Sequence, residues 1–235
     1  MINYIKSSFS KDSLLGSILF FLVLSSWYVL RPVRNEMAVS NVDELPILLA
    51  AGAIAMLLVN PIYSWMASKS NLKKIILFCY SFLIMNLILF LFSWKFLGLG
   101  ESLWLGRIFY VWCNIYSFFV VSIFWVLIIN LFRDSNRRSF YGVIMAGGSV
   151  GALFGSEISK RFSTSFNELG LELFTLSAAF LLFLAMLLAL YMLSKFQRDS
   201  NLTLSNVGGG GFDAIKNSLK VDEIRNIASY VWIWT

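Results

Sequence analysis

The chain has 235 residues, 58% of them hydrophobic and 14% charged, with a formal net charge of +6 and no histidine. Soluble domains carry about 25% charged residues, whereas here the apolar residues gather in runs of roughly 18–25, enough to cross a hydrocarbon core of about 30 Å. This excludes an ordinary soluble domain. The missing histidine excludes imidazole metal sites, Ser-His-Asp triads and imidazole proton relays.

The apolar runs do not alternate as barrel strands do, and the first is too long for a removable signal peptide. The fold class expected is therefore all-α, a polytopic membrane helical bundle. Met1 to Asp12 forms a short polar lead. Transmembrane helices are predicted over about 13–35, 45–66, 75–94, 108–132, 140–158 and 173–193. The first is expected to continue through Arg31 and Arg34, and the second to be broken late by Asn60-Pro61. An acidic turn, Asn41-Val-Asp-Glu44, joins these two helices. Cys79 and Cys113 both fall within apolar runs and are expected as buried free thiols rather than a disulfide or metal pair. A polar segment at 195–226, holding four consecutive glycines from Gly208, is expected as a cytoplasmic central loop. A seventh apolar run opens at Ile227 and reaches Thr235. Nine residues make about 14 Å of helix, so the expectation is six complete helices and the start of a truncated seventh.

With the N-terminus in the cytoplasm and alternating spans, most basic residues fall on the cytoplasmic side. They include Lys69, Lys73 and Lys74 in one loop and Arg133, Arg137 and Arg138 in the next. Such a bias follows the positive-inside rule and accounts for the net charge without a nucleic-acid partner. Arg31, Arg34, Lys95, Arg107, Lys160 and Arg161 fall on the opposite side. The basic loops suit topology and anionic-lipid contact. Their position between consecutive helices also makes Lys73, Arg137 and Arg138 candidates for gating.

Four further groups of residues are candidates for function. Gly147, Gly151 and Gly155 recur every four residues in the fifth helix and form one smooth face for close helix packing; such a face also permits sliding during a conformational change. Asn114 and Ser117 share a face of the fourth helix and either line a polar cavity or bond between helices. Glu157 is an acid inside an apolar run, with Lys160 and Arg161 in reach for an interfacial ion pair. Arg31 and Arg34, three apart across Pro32, are expected to share a face at a kinked helix end. Guanidinium groups so placed suit a phosphate or carboxylate, and equally snorkel to headgroups.

Leu30-Arg31-Pro32-Val33-Arg34-Asn35 is one of several motifs that occur together. The others are Val120-Val121-Ser122-Ile123-Phe124-Trp125, Phe140-Tyr141-Gly142, the run Ala146 to Ala152, and the glycines before Phe212. The set resembles the bacterial branch of the major facilitator superfamily that is similar to the ATP/ADP (nucleotide) translocases, over its N-terminal half. The loop at 68–74 lacks the glycine and aspartate of the major facilitator signature, and Asn35 stands where the family pattern has an acid. The resemblance implies a secondary transporter in a bacterial inner membrane, working by alternating access on an anionic solute such as a nucleotide or phosphorylated metabolite. It implies that Arg31 and Arg34 contact that solute. A competing expectation is a non-transporting six-helix membrane module, a gene remnant or an interaction partner. An enzyme is not expected, because no acid–base pair is available. No cofactor or metal is implied, and the partners expected are a small anionic solute and the lipid bilayer.

Overall fold

The computed structural model describes residues 11–39, 44–69, 71–97, 102–132, 140–164 and 166–200. Six α-helices make up this part of the chain: α1 Lys11–Val39, α2 Leu45–Lys69, α3 Leu72–Lys95, α4 Leu103–Leu131, α5 Phe140–Thr164 and α6 Phe166–Ser200. No strand occurs among the described residues. All but α2 are long and apolar enough to cross a membrane, and α2 holds a shorter apolar stretch, Leu45–Pro61. The protein is an integral membrane helical bundle. The expected glycine-rich segment and the seventh apolar run lie outside the described residues.

The helices extend beyond the apolar runs. A backbone leaving the hydrocarbon gains nothing by breaking its own hydrogen bonds, so polar residues continue each helix into the interface. At its far end α6 continues through Lys195 to Ser200, so the polar segment expected from 195 opens in helix. The predicted break at Asn60-Pro61 does not occur: Pro61 lies inside α2, which runs on to Lys69. Pro32 lies inside α1, as expected of a first helix that continues through Arg31 and Arg34. The predicted break at Pro61 rests on the helix-breaking habit of proline in water. In a bilayer no solvent is on hand to satisfy freed backbone groups, and continuing the helix is the cheaper state.

Interhelical contacts give the helix directions. Ser25 Oγ donates to the Gly151 carbonyl (2.9 Å) and Ser159 Oγ to that of Val29 (3.3 Å), so α1 and α5 run parallel. Glu44 pairs with Arg107 (2.7 Å) and Gly52 lies against Asn114, so α2 and α4 also run parallel. α1 is antiparallel to α4, through the stacked rings of Phe20 and Phe124 (4.2 Å) and the hydrogen bond between Ser26 and Tyr116. It is antiparallel to α6, through Ser26 Oγ to the Ala178 carbonyl (3.0 Å) and Lys195 to Asp12 (2.8 Å). Lys95–Glu172 (2.8 Å) and Ser81–Met186 (3.6 Å) set α3 antiparallel to α6. Odd and even helices therefore point in opposite directions.

α1 is the axis of the bundle, meeting α5 most extensively, then α6 and α4. The pairings have an internal order. Exchanging α1 with α4, α2 with α5 and α3 with α6 turns the α1–α5 pairing into α4–α2 and leaves α1–α4 and α3–α6 unchanged. All of these pairings are present. In these pairings, and in the opposite directions of α1 and α4, the first three helices are arranged in an inverted order relative to the next three. The apolar core lies where α1, α3, α4 and α6 converge, around Tyr80, Phe109, Tyr116, Phe124 and Phe174.

Candidate anion site

Arg34 stands about two and a half turns past the middle of α1, where the apolar run has ended and α4 begins. Its guanidinium carbon lies 5.5 Å from the ring centre of Trp27 and 5.7 Å from that of Tyr110. The two rings come from different helices and flank the cation, a placement that favours positive charge through the ring quadrupole. Nη1 donates to Asn114 Oδ1 (3.1 Å), while Nε and Nη2 donate to Asn35 Oδ1 (3.3 and 3.0 Å). A guanidinium carries five N–H donors in a fixed plane, so these bonds orient the group without exhausting it. Among the described residues, no carboxylate lies within ion-pairing distance of Arg34. A half-buried cation so held is positioned to receive an anion.

Asn114 is the second member of the site. Its amide nitrogen donates to the Tyr110 carbonyl one turn back (3.3 Å), which turns its oxygen toward Arg34. Gly52 of α2 makes room for it: a Cβ there would stand 2.9 Å from Asn114 Nδ2. Three helices therefore converge on one polar contact. Ser117, expected on the same polar face, donates to the Asn114 backbone carbonyl (2.8 Å). That is a bond within its own helix, and it holds Ser117 a turn deeper than Arg34.

The structure separates the two arginines. Arg31 is exposed, stacked over Tyr28 at 5.4 Å, and lines a recess between α1 and α5. Arg34 turns to α4. Positions three apart on a helix differ by about 60° around its axis. With α4 on one side and α5 on the other, that angle suffices to send each side chain to a different neighbour. The expectation of one shared face is corrected in this respect.

The glycines expected for packing are placed together. Gly147, Gly151 and Gly155 of α5 face Ser17, Phe21 and Ser25 of α1, and a Cβ at Gly155 would stand 2.6 Å from the Ser25 carbonyl oxygen. Leu153, 72% exposed, marks the opposite side of α5 as the outward one. Glu157 pairs with Arg161 (3.2 Å) on the surface and not with Lys160. Lys73 is exposed in the first turn of α3, at the far end of the bundle from Arg34. Arg137 and Arg138 lie outside the described residues. Cys79 and Cys113 are buried free thiols.

Sequence reasoning missed Trp27, Tyr110 and Gly52. Signals were present: Trp27 precedes Arg34 by two helical turns, Tyr110 precedes Asn114 by one, and Gly52 sits in the small-residue run Ala50-Ala51-Gly52-Ala53. The Arg107–Glu44 pair, with Arg107 also over Trp104 at 4.6 Å, was missed for the same reason: it joins residues far apart in the chain. No protein-family model, curated protein or solved structure matches the chain.

Proposed function

We propose that the protein is a secondary transporter of major-facilitator type that moves an anionic solute, a nucleotide or another phosphorylated metabolite, by alternating access across a bacterial inner membrane. The observation that carries this reading is Arg34: a half-buried cation without a carboxylate partner among the described residues, held between Trp27 and Tyr110 and oriented by Asn35 and Asn114. A half-buried guanidinium at the end of an apolar span, held in plane and free of a carboxylate among the described residues, suits an anionic ligand. The inverted pairing of α1–α3 with α4–α6 supports it, since transporters of this type nest three-helix inverted repeats within each six-helix half. The motif resemblance to nucleotide translocases points to the same solute class. In this reading Arg34 binds the solute's phosphate or carboxylate, Asn114 holds the guanidinium in plane, and the N-terminus is cytoplasmic.

Substituting Arg34 tests the proposal. The protein in liposomes is given a panel of labelled anions, ATP, ADP and inorganic phosphate among them, and binding is measured alongside uptake. Arg34→Gln is expected to weaken anion binding by about tenfold or more, as loss of a charge-assisted hydrogen-bond pair does. Arg34→Lys is expected to recover part of it, because charge returns without the planar fork. Wild-type binding and uptake by Arg34→Gln at subsaturating anion would overturn the assignment.

A further inference from the structure

The recess between the outer ends of α1 and α5 has a volume of about 360 Å³. Tyr28, Arg31, Pro32, Asn35 and Glu36 line it from α1, and Ser156, Ser159, Lys160 and Ser163 from α5. Two cations there face one carboxylate. Neither Arg31 nor Lys160 is in an ion pair among the described residues; Glu157, the acid nearest in sequence to Lys160, is taken by Arg161.

Asn35 also lines the recess, and its side-chain oxygen accepts from Arg34 Nε and Nη2. The serines donate to main-chain carbonyls: Ser156 to Ala152 (2.8 Å), Ser159 to Val29 (3.3 Å) and Ser163 to Ser159 (2.9 Å). Ser156 and Ser163 bond carbonyls one turn back in their own helix, which already serve the helical ladder. Turning those hydroxyls toward an incoming anion therefore leaves no backbone group unsatisfied.

We infer that this recess is a second anion site, distinct from Arg34, in which Arg31 and Lys160 hold a phosphate group with Asn35 and the serine hydroxyls as neutral donors. A planar guanidinium and a mobile ammonium across one opening match the several oxygens of a phosphate. The recess is shallow and lies where helices leave the hydrocarbon. Its phosphate therefore comes either from an anionic phospholipid headgroup or from a free anion in the adjoining water. The inference does not depend on the transport reading, since it uses neither Arg34 nor Asn114 as a ligand.

The test uses the whole chain in two arms. In the first, nanodiscs of phosphatidylglycerol and of phosphatidylcholine are compared by native mass spectrometry for lipid retained on the protein. In the second, detergent-solubilised protein is titrated with inorganic phosphate and followed by thermal shift. Selective retention of phosphatidylglycerol assigns the lipid source; stabilisation by phosphate without lipid selectivity assigns the free anion. In whichever arm responds, Arg31→Gln and Lys160→Gln are each expected to weaken binding about fivefold, the effect of one basic residue near an anionic surface. Lys74→Gln, at the other end of the bundle, is expected to leave it unchanged. Arg34→Gln is expected to leave it within about twofold, which separates failure here from failure of the transport proposal. Equal binding of both probes by wild type and the Arg31→Gln/Lys160→Gln double variant overturns the inference.

Discussion

α1 presents two long faces that are packed in opposite ways. Toward α5 it meets glycine: Ser17, Phe21 and Ser25 lie against Gly147, Gly151 and Gly155, backbone nearly on backbone, with hydrogen bonds at Ser25 and Ser159. Toward α4 it meets bulk: Phe20 on Phe124, Trp27 against Tyr116 (6.3 Å), and then the polar contact of Arg34 with Asn114. In lipid neither face gains from the hydrophobic effect, because tails are as apolar as leucine. The α5 face therefore depends on proximity and the α4 face on dispersion between large side chains. Proximity allows no insertion and little sliding. The glycine face is better read as a fixed rail than as a bearing, with the recess of Arg31 and Lys160 opening past its last contact, Gly155 against Ser25.

The largest expected effect comes from breaking the rail. Gly151→Leu must displace the Phe21 backbone, and overpacking of this kind costs about 3 kcal/mol. The expected result is a strongly lowered melting temperature in detergent, whereas Gly142→Leu, at an open position, melts as wild type. A Gly151→Leu protein with unchanged melting would mean that the α1–α5 contact is dispensable.

A smaller effect is expected on the other face. Tyr116→Phe removes the hydrogen bond to Ser26 and keeps the ring. Interhelical hydrogen bonds in membranes average about 0.6 kcal/mol, so a shift of that size is expected in a steric-trap or denaturant titration. A loss as large as that of Gly151→Leu would show that polar contacts, not packing, hold the α4 face. The smallest effect belongs to neither face. Glu157→Gln breaks an ion pair whose side chains are 54% and 77% exposed, and stability is expected to stay within about 0.5 kcal/mol.

The spans were legible because the bilayer imposes length and hydropathy on each helix separately. The glycine rail was legible because a spacing of four residues fixes a helix face whatever the partner. Arg31 and Arg34 were found as candidates from charge at a helix end, yet their separate destinations were not. Those depend on which helix stands on each side of α1, a property of the whole bundle. Trp27 and Tyr110 were invisible for a different reason. A tyrosine beside a cation has the same hydropathy as one on the outer surface, such as Tyr191, 57% exposed on α6. Pro61 misled because its usual effect is that of a chain in water.

The central place of α1 has a consequence for how the protein is made. α1 takes its main contacts from α5 and α6, which are synthesised after it. Ser25 waits for Gly151, 126 residues later, Ser26 for Ala178, 152 residues later, and Asp12 for Lys195, 183 residues later. At translation rates of roughly 5–20 residues per second, the interval between Ser26 and Ala178 is about 8–30 s. During that time α1 resides in the bilayer with its serine hydroxyls turned back on their own helix or lent to other partners. Assembly of this bundle is thus completed only after insertion of α6, and a chain halted before Ala178 leaves the α6 face of its central helix uncovered.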